Sequence, residues 1–139
     1  MNRVYQPENS KLCGQACVAM ILKMTLKESV AEFGYRHVTH AHDVIDVLRK
    51  YGFSTGNRCV RLSGDLRGTK LKDVEFWSWA FPKRCMLRIG CRGMAGSHWV
   101  LLWDGKTYDP AHNAVDGEFV TSYLEIGGYD GDRSGQENT

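Results

Sequence analysis

Hydrophobic periodicity changes character once along this chain, near residue 52, and that switch limits the folds open to it. Residues Lys11 to Met24 carry Leu12, Ala16, Ala19 and Met20 at helical spacing, with Asn9 or Ser10 placed to cap the start. A second short helix is expected over Leu26 to Phe33, ending at Gly34. Thr39 is placed to cap a third, whose apolar stripe of Val44, Ile45, Val47 and Leu48 ends at Gly52. Beyond Phe53 the pattern becomes strand-like: Asn57 to Leu62, Arg84 to Ile89, His98 to Trp103 and Lys106 to Asp109. Ser63 to Thr69 and Cys91 to Ser97 read as loops, and Leu71 to Trp79 fits either a short helix or a strand. Helices first and strands after predict an α+β fold, with the N-terminal helices packed on an antiparallel sheet.

A chain of 139 residues with 42% hydrophobic content suits one compact domain. That domain is expected over residues 1–126, including an amphipathic piece from Phe119 to Leu124. The Gly, Asp, Ser and Asn content of Gly127 to Thr139 predicts a flexible tail. A formal net charge of +2 gives no concentrated basic stripe of the kind nucleic-acid binders carry. No secretory signal and no membrane-spanning segment is read, so neither a membrane nor a nucleic acid is the expected partner. The five cysteines (Cys13, Cys17, Cys59, Cys85, Cys91) are odd in number and scattered, which suits a reducing, cytoplasmic setting in which a conspicuous thiol is catalytic or metal-binding.

Asp104-Gly105 signals a two-residue hairpin turn, and such a turn fixes the register of everything beside it. Trp103 then pairs with Lys106, Leu102 with Thr107, Val100 with Asp109 and His98 with Ala111. Side chains alternate between faces, so His98, Val100, Leu102, Thr107 and Asp109 share one face, while Trp99 and Trp103 share the other. His98 and Asp109 become diagonal neighbours about 7–8 Å apart along the backbone, within side-chain reach. A carboxylate so placed fixes the imidazole tautomer and favours the imidazolium, which in turn favours a thiolate beside it.

The thiol best placed to use that pair is Cys13, in the first turn of the first helix, where the positive end of the backbone dipole lowers a thiol pKa. Gly14 is expected to leave room for a substrate backbone. The Cys13 backbone N–H and the Gln6 amide are candidate donors to an oxyanion.

With those residues assembled, the chain resembles the papain-like cysteine peptidases, most closely the C39-like group. The matching segments are Gln6-Pro-Glu-Asn-Ser-Lys-Leu-Cys13-Gly14, His98-Trp-Val-Leu-Leu and Tyr108-Asp109-Pro110-Ala111. The helix ending in Arg-Lys-Tyr-Gly52 is similar to the family's middle. The resemblance implies a papain-like fold and a cysteine peptidase. In it Cys13 is the nucleophile, His98 the general base and acid, Asp109 the orienting acid and Gln6 the oxyanion donor, with a peptide or protein as substrate and no cofactor or metal. It also implies a free-standing hydrolase without the transporter fused to bacteriocin-processing members. Deamidation and acyl transfer use the same triad and stay open, as does an interaction module that keeps the fold to bind a protein or nucleic acid.

Other features carry plainer expectations. Cys17, Cys59, Cys85 and Cys91 read as core or incidental thiols, and the four tryptophans as core residues. His37, His40 and His42 with Asp43, joined by Cys13 and Cys17, form the metal alternative, against which a solvated start to the third helix is favoured. Arg58, Arg61, Arg67, Lys70 and Lys72 make a basic stretch expected to be a solvated loop face, beside which Trp77 or Trp79 is a candidate cleft lining.

Overall fold

The structure is a computed structural model and describes residues 1–36, 39–90, 97–111 and 118–129. Three helices come first: α1 (Cys13–Leu22), α2 (Leu26–Glu32) and α3 (Ala41–Lys50). Six strands follow: β1 (Phe53–Thr55), β2 (Val60–Arg61), β3 (Arg84–Gly90), β4 (Ser97–Trp103), β5 (Lys106–Tyr108) and β6 (Phe119–Tyr129). The strands pair antiparallel in the order β1-β6-β3-β4-β5, with β2 also on β6, so the fold is α+β with an antiparallel sheet.

Apart from Gln15 the helix α1 carries no polar side chain longer than a thiol, and every residue from Cys13 to Ile21 is buried, as suits a helix wrapped by other elements rather than lying on a surface. It starts later than its pattern suggests. Leu12, not Asn9 or Ser10, holds the N-cap position, and no side chain caps the helix, so the first backbone N–H groups stay available at its mouth. Lys23 closes the other end in a left-handed conformation, returning its N–H to the Ala19 carbonyl. By contrast α2 has a complete capping box, with Thr25 Oγ1 accepting from Glu28 N at 3.1 Å and Glu28 Oε1 from Thr25 N at 3.0 Å. His40, one residue later than expected, holds the N-cap position of α3, and its N–H donates to Asp43 Oδ2 at 3.1 Å.

One face of the sheet packs on the helices. Trp99 and Leu101 of β4, Met86 of β3 and Leu124 of β6 meet Cys17, Val18 and Ile21 of α1 and Val44 and Leu48 of α3. The opposite face holds Cys85, Leu87, Ile89, Val100, Leu102 and Val120, and among the described residues no α-helix covers it. Its cover is a strap of three short 3-10 turns, Gly64–Leu66, Leu71–Asp73 and Ser78–Ala80, which lays Val74 and Phe81 into the apolar layer. The stretch ambiguous between helix and strand, Leu71 to Trp79, therefore takes the helical alternative only as short 3-10 turns, at Leu71–Asp73 and from Ser78. The expected strand from Asn57 to Leu62 shrinks to two residues.

The strand β6 corrects the expected tail. It continues through Gly127 to Tyr129, where Phe53 pairs with Tyr129 and Thr55 with Ile126. Gly127 lies against Ser54, and any Cβ there would overlap the Ser54 hydroxyl, so this glycine serves close strand approach. Residues 130–139 lie outside the described residues. Among the described residues no helix is long and apolar enough to cross a membrane.

Candidate active site

The hairpin has the register its turn dictates: Trp103 opposite Lys106, Leu102 opposite Thr107 and Leu101 opposite Tyr108, with Asp104 and Gly105 both at positive φ in the turn. Alternation puts Trp99 and Leu101 against the helices and Val100 and Leu102 in the opposite layer, which is also the side to which His98 belongs. The β4–β5 ladder ends at Leu101–Tyr108, so His98 sits where the two strands have begun to part.

There His98 Nε2 meets Asp109 Oδ1 at 2.7 Å. The same carboxylate oxygen accepts the Ala111 backbone N–H at 2.9 Å, which holds it against rotation. With Nε2 engaged, Nδ1 is the nitrogen left to face Cys13, and the thiol and the ring lie close enough to shift each other's protonation. Cys13 reaches this point from the helix-packed face. Its Sγ accepts the backbone N–H of Trp99 at 3.5 Å. Gly14 at the uncapped helix mouth supplies another backbone donor to the sulfur.

These contacts set the protonation of the pair. Burial works to raise the Cys13 pKa, but the His98 hydrogen bond, the Trp99 N–H, the His98 charge and the Gly14 N–H outweigh it, so the thiol lies below its usual value. Burial likewise works to lower the His98 pKa, and the Asp109 and Cys13 hydrogen bonds and charges reverse this, raising it to about 10. Both shifts favour the thiolate–imidazolium form of the pair over the form with a thiol and a neutral ring. Cys17, one helical turn deeper and wholly buried, shows the contrast: burial, then the charges of Cys13 and Asp109, push its pKa well up. Burial, then Glu125, raises Cys85 to about 12.

Gln6 is held through both its main chain and its side chain. Its backbone N–H donates to the Pro110 carbonyl at 2.9 Å, pinning the N-terminal segment next to Asp109. Its side-chain Nε2 donates to the Ser10 carbonyl at 2.8 Å, bracing the turn that leads into α1, while Oε1 is buried without a partner. The space expected at Gly14 for a substrate is also taken. A Cβ at that position would overlap the Thr39 hydroxyl and come within 3.1 Å of the Trp99 ring, so Gly14 is required by packing inside the protein. Thr39 is thus a site neighbour that sequence reading placed instead as a helix cap. Its only signal was polarity next to an apolar helix, and its hydroxyl is buried without a partner.

The histidine cluster disperses into local roles. The His40 and His42 rings stack at 5.7 Å, and Asp43 is held by Arg36 at 2.8 Å. Among the described residues no three metal-ligating side chains converge, and His37 and Cys91 lie outside them. Of the tryptophans, Trp99 is buried and Trp103 half-buried as expected, but Trp77 and Trp79 are exposed. A cavity of about 440 Å³ opens at the far end of α1, lined by Ile21, Leu22, Lys23, Tyr51, Phe53 and Trp103 among others. At 1.5 Å per residue it lies about 15 Å along the helix from Cys13, too far to be part of the site.

No family model matches this chain, and no curated protein matches it.

Proposed function

We propose that the protein is a cysteine hydrolase of the papain-like, C39-like kind, cleaving an amide bond in a peptide or protein. The observation that carries this reading is the 2.7 Å contact between His98 Nε2 and Asp109 Oδ1, on a ring whose other side faces a thiol of lowered pKa. The Cys13 thiolate attacks the carbonyl carbon, and the tetrahedral oxyanion collapses as His98 gives its proton to the departing amine. The thioester left on Cys13 is then opened by water, from which His98 takes a proton. Asp109 keeps the ring in one orientation throughout.

The oxyanion donors in this reading are the Cys13 backbone N–H at the uncapped helix mouth and the second Nε2 hydrogen of Gln6, the first being held by Ser10. Cys13 is only 8% exposed, so the scissile bond approaches along the opening shared with His98 and Asp109, which are 16% and 20% exposed. The four cysteines among the described residues are all free thiols, which fits a reducing, cytoplasmic setting.

Incubation of the wild type and Cys13→Ala with a peptide library, read by mass spectrometry, tests the reading. Fragments appearing only with the wild type support it. Fragments from both proteins would refute it. A gain of about one mass unit, or an adduct, would assign the same thiolate to deamidation or acyl transfer.

A further inference from the structure

The strap over the face opposite the α-helices presents three large rings to solvent. Phe76 is 74% exposed, Trp77 40% and Trp79 77%. They touch one another, Phe76 edge-on to Trp77 at 5.3 Å and Trp77 tilted to Trp79 at 5.7 Å, and so form one patch. Most surface aromatics stand alone, and a contiguous exposed cluster of this size marks an interaction surface.

The patch is rigidly mounted. Val74 and Phe81 clamp its two ends into the apolar layer. Glu75 Oε2 accepts both the backbone N–H of Thr107, at 2.7 Å, and its hydroxyl, at 3.1 Å, and Ser78 sits against Gly105 at the hairpin tip. The strap therefore runs along β5 on the sheet face to which His98 and Asp109 belong. Thr107 is two residues from Asp109 and Gly105 four, so the rings lie roughly 7–13 Å along the strand from the triad, a span that four or five extended residues cover.

Charge chooses the occupant. Lys70, Lys72 and Lys83 are exposed on the strap and its return, and the side chain of none has a hydrogen-bonding or ionic partner among the described residues. Arg67 adds a fourth exposed cation, and Asp65 and Asp73 are the exposed acids of the strap without such a partner among the described residues. The rings meet at 84° and 49° and so offer no parallel platform on which successive bases could stack, which disfavours single-stranded nucleic acid. We propose that this patch is a docking site for the substrate polypeptide, holding an acidic segment with apolar side chains a few residues away from the bond presented to Cys13. This rests on the hydrolase reading for its purpose, but not for its test.

The test uses Cys13→Ala protein, so that nothing is turned over, and fluorescein-labelled casein as an extended acidic polypeptide, with binding read by anisotropy. Saturable binding is expected, weakened at least about tenfold by Phe76→Ala with Trp79→Ala, and weakened by Lys72→Glu and by added salt. Iodoacetamide alkylation of Cys13 in the otherwise wild-type double variant should proceed at the unaltered rate, showing that the site itself is intact. Failure of casein to bind, or binding indifferent to the ring substitutions, overturns the proposal. So does ring-dependent binding to phosphatidylcholine–phosphatidylserine vesicles or to oligo(dT) in place of casein, which would assign the patch to a membrane or a nucleic acid. Ring-dependent casein binding without cleavage by the wild type would leave the docking site standing and remove the hydrolase.

Discussion

The two faces of the sheet are covered in different ways, and the difference separates what holds the molecule together from what it offers to others. Against the helices, Trp99, Leu101 and Met86 are sealed by α1 and α3, and even the polar Gln15 and Thr39 are buried there. Against the strap, Val74 and Phe81 close the layer from inside while Phe76 and Trp79 face out. The site lies where the two faces meet, since Cys13 comes from the helix side and His98 from the strap side, at the notch where β5 leaves β4. A thiol anchored in one layer and an imidazole in the other are positioned independently, and the contact between them joins the two layers.

The comparison breaks most completely at that junction. His98→Ala should lower the alkylation rate of Cys13 at pH 7 by about 10²–10⁴-fold, while leaving Cys59 unaffected as an internal control, measured by mass spectrometry of the modified peptides. Next in size is the apolar layer under the strap. Leu87→Ala removes a fully buried side chain and should cost about 2–5 kcal/mol in urea unfolding. Trp79→Ala, on the outer side of the same cover, should stay within about 0.5 kcal/mol, and a cost like that of Leu87 would mean that the rings are structural. On the helix side, Gly14→Ala should cost about 1–3 kcal/mol through its collision with Thr39, and Thr39→Val, which removes an unpartnered buried hydroxyl at constant shape, should leave stability equal or higher.

Acid–base linkage sharpens the same contrast with a smaller signal. In a Cys13→Ala background the Asp109 hydrogen bond and charge are the contacts that remain to raise the His98 pKa from its ordinary 6.5. A raised folded-state pKa adds stability that is fully present below the unfolded value and is lost as pH rises through the folded one. The difference in urea midpoint between Cys13→Ala and Cys13→Ala with Asp109→Asn should therefore shrink steadily above pH 6.5. A difference constant across that range would mean that Asp109 does not hold the imidazolium. Cys13, with its pKa lowered, contributes in the opposite sense, adding stability above its unfolded value and losing it as pH falls through the folded one.

The hairpin and its consequences were legible because a two-residue Asp-Gly turn sets register locally, and alternation then places His98, Asp109, Trp99 and Trp103 without further information. The order of helices and strands was legible for the same reason, since each period is a property of a short window. What escaped depends on contacts between distant segments. Thr39 fills the space at Gly14 from 25 positions away, and Gly127 belongs to β6 because β1, more than 70 residues earlier, pairs with it. The strap shows a third limit: Trp77 and Trp79 look like core residues by composition, but the turns that carry them have already spent Val74 and Phe81 on the core.

The most direct test of the central claim is the pH profile of iodoacetamide alkylation, resolved cysteine by cysteine in the folded wild type. Cys13 should react first, with a midpoint below that of an ordinary thiol, and His98→Ala should move that midpoint up. Modification of Cys59 ahead of Cys13, or a Cys13 midpoint indifferent to His98, would contradict the account.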